Sequence, residues 1–204
     1  VDARVAVVGG INWGERSAAN HDFDAELGGP AVASLGRVFA RDLVTCGRML
    51  TVPASPVDPG LLVATTLPGP DIRPLILDAI ESAHRSLDLE LFVLTDIGIV
   101  HALERAAARG VRITVLLDPH QRPSDRAAAT LAGHGVPVRL YRSRGELLHA
   151  KVVVTDAATV SFGSANWSAG GFERNHECDV VILDNPPVAA AFLAAMRADW
   201  EAAA

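Results

Sequence analysis

One pattern occurs twice in this chain, near its two ends, and it constrains the fold more than any other feature. The first copy reads VDARVAVVGGINW and is followed by NHDFDAEL; the second reads TDAATVSFGSANW and is followed by NHECDVVI. Each copy then runs into an alanine-rich stretch of helical pattern, at residues 31–43 and 188–203. Because the unit occurs only twice and at long separation, it predicts a duplicated α/β lobe and not a solenoid.

The two copies align around a glycine-rich loop, a tryptophan and an Asn-His-acid tripeptide. The loop serine of the second copy is a glycine in the first, and the acid is aspartate in the first copy and glutamate in the second. The paired positions are Asp2 with Asp156, Gly9 with Gly163, Gly10 with Ser164, Asn12 with Asn166, Trp13 with Trp167, and Asn20, His21 and Asp22 with Asn175, His176 and Glu177.

Between the copies, residues 51–60 carry three prolines and predict a stiff, extended connector. Short apolar runs then alternate with helical patterns such as DIRPLILDAIESAHRS and IVHALERAAARG. This alternation predicts an α/β fold, a sandwich with a mostly buried sheet. Residues 61–204 would form one complete lobe, and residues 1–50 the C-terminal part of a duplicated lobe.

The only lysine of the chain, Lys151, lies in the valine-rich run HAKVVVT, whereas the other 17 basic residues are arginines. Because residues two apart on a strand share a face, His149, Lys151 and Val153 should point the same way. Burying an unpaired ammonium is costly, so a lysine in such a strand indicates function more than packing. With Ser164 and Asn166 after the next strand, these side chains predict an anion site beside one titratable group.

The full string is His149-x-Lys151, four residues, Asp156, six residues, and then Gly163-Ser164-x-Asn166. This string resembles the HKD motif of the phospholipase D superfamily, with every position at the family spacing. The stretches ILDAIESAHRSLDLELFVLTD and LERAAARGVRITVLLD are also similar to this superfamily, particularly to its bacterial two-motif members of the cardiolipin synthase and phospholipase D type. The resemblance covers nearly the whole chain, and it implies an α-β-α sandwich with a mixed, mostly buried sheet.

The resemblance implies phosphodiester hydrolysis or phosphatidyl transfer without a metal or other cofactor. One histidine attacks phosphorus to form a phosphohistidine, and a second protonates the leaving oxygen and then activates water or an alcohol. By this resemblance His149, in the downstream motif, is the acid/base and an upstream histidine is the nucleophile. A compact lysine ammonium suits a tight phosphoryl pocket better than a planar guanidinium does. The residues implied to bind the phosphate are Lys151, Ser164, Asn166, Asn12 and Gly10.

The resemblance also implies that a carboxylate holds the second nitrogen of each histidine. We expect Glu177 to hold His149 and Asp22 to hold the upstream histidine. Asp156, the third member of the catalytic motif, is expected to tie down a turn, and Asp2 is its counterpart in the first copy.

The first motif is incomplete in this sequence. By the spacing of the second copy, its histidine and lysine belong seven and five residues before Asp2, ahead of Val1. We therefore expect an upstream segment to supply these two side chains. The chain as it stands would carry half a site, as an excerpt, a processed chain or one piece of a split protein.

Other polar residues carry weaker signals. Asp118 and His120 follow a strand and either line the pocket mouth or belong to a plain loop. The alternating Arg139, Arg142 and Arg144 would attract an anionic head group, although a solvated surface is the favoured interpretation.

The remaining histidines and the cysteines are expected to be structural or incidental. His21 and His176 should point to the strand face opposite the carboxylates beside them, and His84, His101 and His134 lie on helical patterns. Cys46 and Cys178 are interpreted as small buried apolar residues. No His/Cys cluster has metal-ligand spacing, so no metal site is predicted.

Three functions remain open at this stage. A lipid-directed phosphatidyltransferase or phospholipase is favoured, with a phospholipid substrate, water or an alcohol as acceptor, and association with a membrane surface. Action on nucleic acid is less favoured because the formal net charge is −6. An inactive half-site fragment is the third. Membrane association or a bacterial cytoplasm is the expected location, with secretion left open.

Overall fold

The computed structural model describes residues 4–48, 58–67, 69–142 and 145–203, apart from the side chain of Arg16. The strands are β1 (Val5–Gly9), β2 (Asp24–Gly28), β3 (Leu61–Thr65), β4 (Ser86–Leu91), β5 (Arg112–Leu117), β6 (Val138–Leu140), β7 (Lys151–Thr155), β8 (Thr159–Gly163) and β9 (Cys178–Ile182). The α-helices are α1 (Pro30–Thr45), α2 (Ile72–Glu81), α3 (Ile97–Ala108), α4 (Asp125–Gly133), α5 (Ala169–Glu173) and α6 (Pro186–Ala202).

Within these residues, the main sheet has seven strands in the spatial order β3-β9-β8-β7-β4-β5-β6. The neighbours β4, β5 and β6 are parallel, and the other neighbouring pairs are antiparallel. The predicted mixed sheet is therefore confirmed.

Helices cover both faces of this sheet, which explains why the central strand β7 carries buried valines on both of its sides. α2, α3 and α4 pack on one face through aliphatic side chains such as Leu103, and α6 packs on the other face through Phe192. Successive residues of β7 alternate between two cores, because Val153 belongs to the first and Val152 and Val154 belong to the second. The fold is the predicted α-β-α sandwich.

The first copy of the repeat forms β1, β2 and α1 in the same order as β8, β9 and α6. Gly9 pairs with Asp24, and Gly163 pairs with Asp179 at the equivalent position of the second copy. A Cβ at Gly9 or Gly163 would lie 2.1 or 2.2 Å from an oxygen of the facing aspartate. Glycine is therefore required twice for the same steric reason, and the two copies share one strand register.

The structure differs from several detailed predictions. β7 begins at Lys151, so His149 precedes the strand instead of lying within it. Cys46 is exposed, not buried, because it caps the C-terminus of α1 at the surface, and Cys178 is half-buried. Asp2 and most of the predicted connector at 51–60 lie outside the described residues.

No α-helix among the described residues combines the length and the apolar composition that a bilayer crossing requires.

Candidate active site

One edge of the main sheet gathers the side chains of the predicted motif. The start of β7 and the end of β8 meet at this edge because the two strands are antiparallel, and β9 begins beside the end of β8. Lys151 is the first residue of β7, Ser164 follows β8, and Glu177 precedes β9. His149 reaches the same edge from the segment that leads into β7.

His149 is held by the first copy of the repeat. Its Nδ1 lies 2.7 Å from Oδ2 of Asp22, and the two side chains are 13% and 2% exposed. A carboxylate oxygen can only accept, so Nδ1–H is the donor and Nε2 is not engaged by this carboxylate. The backbone supports this pair, because the N–H of His149 donates to the carbonyl of His21 at 2.7 Å, and the N–H of His21 donates to the carbonyl of Leu147 at 2.8 Å.

The expected pairing of His149 with Glu177 is therefore wrong. A short parallel bridge between His21 and Leu148 brings Asp22 alongside His149. Glu177 instead accepts a hydrogen bond of 2.5 Å from the hydroxyl of Ser164 and one of 2.9 Å from the amide of Asn175. The partner of the histidine comes from the other copy of the repeat, and spacing within one copy cannot reveal this.

Lys151 lies against the imidazole of His149. Its Nζ is 2.9 Å from Nδ1 and 3.0 Å from Nε2, so it cannot be in line with both ring nitrogens at once. Nζ also donates to the backbone carbonyl of His149 and lies 5.4 Å from the ring centre of Phe92. Lys151 is 3% exposed, and this burial lowers the pKa of its ammonium to about 8, although nearby carboxylates, first among them Asp22, oppose the shift.

Asp179, on the neighbouring strand β9, holds the loop after β8 by a hydrogen bond. Its Oδ1 accepts from the N–H of Ala165 at 3.0 Å. Burial raises the pKa of Asp179 to about 7, while the charge of Lys151 and the backbone N–H groups act in the opposite direction. The side-chain oxygen of Asn166 is buried at this loop without a hydrogen-bond partner among the described residues. Ser164 and Asn166 both lie on this loop, next to the end of β8.

The residues of the first copy that are expected to bind phosphate are Gly10 and Asn12. A Cβ at Gly10 would lie 2.5 Å from Oδ1 of Asp22, so glycine at this position leaves room for the carboxylate that holds His149. Asn12 is exposed, between Ile11 and Trp13. These two neighbours and Ser164 line a cavity of about 330 Å³.

Asp156 ties down a turn, as expected. Its carboxylate accepts from the backbone N–H groups of His84, Arg85 and Ser86 at 2.7–3.0 Å. Burial opposes ionisation, but these three hydrogen bonds outweigh it and lower the pKa of Asp156. The backbone at Asp156 has a positive φ of 53°. The carboxylate is directed towards the segment that follows α2 and not towards His149.

Asp118 supports the histidine segment, a role that the sequence did not indicate. Its buried carboxylate accepts from the N–H of Leu148 at 2.9 Å and from the N–H of His120 at 2.8 Å. His120 itself is exposed. The only signal in the sequence was the position of Asp118 at the end of a predicted strand.

The arginines named from the sequence do not converge on this edge. Arg139 donates to the carbonyl of Trp200 at 2.8 Å and lies over its ring, on the α6 side. Arg142 is exposed, and Arg144 lies outside the described residues. Among the histidines, His176 lies 3.3 Å from Asp42, and His21 stacks on Tyr141 with ring centres 5.3 Å apart.

Comparison with known proteins identifies the family of this chain. The sequence model described as "Cardiolipin synthase, PLD-like domain" matches residues 76–200. The chain belongs to this family of the phospholipase D superfamily. It is 30% identical to cardiolipin synthase A of Pseudomonas putida (strain GB-1) and 29% identical to that of Pseudomonas aeruginosa (strain LESB58). Each match covers 90% of this chain but only 43% or 42% of the relative, so the chain spans less than half of their length.

Solved structures agree with this assignment. The phospholipase D family member Nuc from Salmonella typhimurium is 31% identical, with a TM-score of 0.68 over 72% of this chain and 97% of that chain. NucT from Helicobacter pylori shares the fold at 21% identity, with a TM-score of 0.60 over 70% of this chain and 98% of that chain.

Proposed function

We propose that this chain provides one half of a metal-independent phospholipase D-type site that hydrolyses or exchanges the phosphodiester of a phospholipid. The observation that carries the proposal is the pair of His149 and Asp22, 2.7 Å apart, with the Lys151 ammonium against the same imidazole. An imidazole oriented by a carboxylate, next to a buried cation, is suited to proton transfer at an anionic substrate.

In the proposed reaction, His149 enters as the imidazolium, with a proton on each ring nitrogen, and acts through Nε2 as the acid and then the base. A nucleophilic histidine attacks phosphorus, the P–O bond to the leaving alcohol breaks, and His149 gives that oxygen its proton. His149 then removes a proton from water or an alcohol, whose oxygen attacks the phosphohistidine and releases the nucleophile. Lys151, with Ser164 and Asn166, would stabilise the phosphoryl oxygens as negative charge develops.

The nucleophilic histidine and a second lysine would come from an upstream segment that completes the first motif. By the symmetry of the two copies, Glu177 would hold that histidine as Asp22 holds His149. The exposed apolar face of the first copy supports this part of the proposal, because Val7, Trp13 and Phe39 are 54%, 87% and 62% exposed. Further packing against this face would bury them.

Phosphatidyl transfer is favoured by the match to cardiolipin synthases over 90% of this chain. Action at a membrane surface follows from the substrate proposed. Cleavage of nucleic acid is the second candidate, favoured by the similarity to Nuc, of which the chain covers 97%. The net charge of −6 weighs against a polyanion as substrate.

The test uses a polypeptide that carries the histidine and lysine of the first motif upstream of Val1. Vesicles of phosphatidylglycerol and phosphatidylcholine are incubated with it and a primary alcohol, and phosphatidyl-alcohol is sought by mass spectrometry. We expect the product to appear and to be lost in His149→Asn. His176→Asn is the matched control, because His176 is exposed and contacts Asp42 instead of the site.

Near-normal turnover by His149→Asn would refute its role as the acid/base. If the folded protein forms no phosphatidyl-alcohol and releases no head group, the lipid assignment fails. Single-stranded DNA is then the next substrate.

A further inference from the structure

A second cluster of ionisable side chains lies on the α6 face of the sheet, behind the segment that carries Asp22. It consists of His21, Glu90 and Asp199, which come from the segment before β2, from β4 and from α6. Nε2 of His21 is 2.9 Å from Asp199 and 3.9 Å from Glu90, and the three candidate donor atoms lie within 4.8 Å of one another. Residues widely separated in sequence thus meet around one point.

Glu90 is the unusual member of this cluster. It is 1% exposed, and neither of its carboxylate oxygens has a hydrogen-bond partner among the described residues. A buried carboxylate without a partner is strongly unfavourable. Burial, and next the charge of Asp199, raise the pKa of Glu90 to about 8. The oxygens of Glu90 are therefore buried polar atoms aimed at an imidazole and a second carboxylate, with no group in place to satisfy them.

We propose that His21, Glu90 and Asp199 bind a divalent transition-metal ion of the zinc type. One imidazole nitrogen and two carboxylate oxygens are a common ligand set for such an ion, with water in the remaining position. Bonds of roughly 2.0–2.2 Å place the donors of a tetrahedral site about 3.3–3.6 Å apart, and the two separations measured from His21 lie on either side of this range. A divalent ion would pair with both carboxylates at once.

The surroundings of the cluster suit a bound ion. Stacking on Tyr141 and edge contact with Phe23 fix the plane of the His21 ring. A cavity of about 450 Å³, lined by Glu90, Met196 and Arg197 among others, adjoins the cluster on the side of Glu90. The ion would join the segment of Asp22 to β4 and α6, and its role would be structural. The proposal does not depend on the substrate of the main site.

The 204-residue chain is first treated with a chelator and then titrated with ZnCl₂ by calorimetry, with Tm as a second readout. We expect one equivalent to bind and Tm to rise by roughly 5–10 °C when free Zn²⁺ exceeds Kd a hundredfold. Co²⁺ should give a visible d–d spectrum. Glu90→Gln should weaken binding by at least roughly 10–100-fold, the loss typical of removing even an outer-shell partner.

His101→Ala is the control for surface sites, because His101 lies 2.7 Å from Glu104 on an exposed helix face. It should leave the stoichiometry and the Tm shift unchanged. Asp199→Asn, at a partly exposed position, serves as a second ligand variant if Glu90→Gln does not fold. Absence of Zn²⁺ binding, or binding that survives the ligand variants and is lost in His101→Ala, would overturn the proposal.

Discussion

The two copies of the repeat have the same local structure but very different surroundings. Trp13 is 87% exposed, whereas its counterpart Trp167 is fully buried. β1 belongs to a two-stranded sheet, whereas β8 lies between β7 and β9 in the main sheet. The shared sequence determines the strand pairing and the glycine–aspartate contact, and the neighbouring strands determine how much of the unit is buried.

The comparison also explains how the two copies depend on each other. Asp22 of the first copy holds the histidine of the second, while Glu177 of the second copy contacts Ser164 in its own loop. The first copy has Gly10 where the second has Ser164, and a Cβ there would collide with Asp22. This difference between the copies therefore lies where the two halves exchange contacts.

The largest effect on activity is expected from substitution of the two carboxylates, Asp22 and Glu177. In a polypeptide that contains both motifs, Asp22→Asn should lower the turnover number by roughly 10²–10⁴-fold, because the amide no longer fixes the tautomer of His149. Glu177→Gln should cause a loss of similar size if it holds the upstream histidine. Phosphodiesterase assays at saturating substrate check both variants, and a loss in only one would break the proposed symmetry.

A smaller effect is the difference in stability between substitutions of the two tryptophans in the 204-residue chain. Trp167→Ala should lower the free energy of unfolding by roughly 3–5 kcal/mol because it leaves a cavity in the core. Trp13→Ala should change it by less than about 0.5 kcal/mol, as is usual for an exposed position. Urea denaturation measures both. With the upstream segment present, the cost of Trp13→Ala should increase, and a constant small cost would argue against burial of this face.

The smallest effect concerns pH and belongs to the second copy alone, which carries the only lysine. Burial lowers the pKa of Lys151 to about 8, so its charge is present below pH 8 and is lost as the pH rises through 8. The affinity for sulfate should fall about tenfold per pH unit above that value. The free energy of unfolding should rise with pH between about pH 8 and the ordinary lysine pKa, because the unfolded chain binds more protons than the folded chain in this range.

Lys151→Met removes this titrating charge and serves as the control. Its sulfate affinity should be low and should not change between pH 7 and pH 10. An unchanged pH dependence in this variant would assign the effect to another group.

The sequence predicts those features that are encoded locally. Alternation of strands and helices gave the sandwich, and the spacing of His149, Lys151 and Asp156 gave the motif and the turn that Asp156 stabilises. Spacing along the sequence predicts the wrong partner for His149, because a contact between the copies depends on how they pack. Spacing does not point to Glu90 for the same reason, since its neighbours His21 and Asp199 come from opposite ends of the chain.

The central claim is that the first copy orients the histidine of the second, and ¹⁵N NMR of the His149 imidazole in the 204-residue chain tests it most directly. We predict the Nδ1-protonated tautomer in the wild-type chain and in Glu177→Gln, and a shift towards the Nε2-protonated tautomer in Asp22→Asn. A His149 tautomer that responds to Glu177→Gln and not to Asp22→Asn would contradict the account.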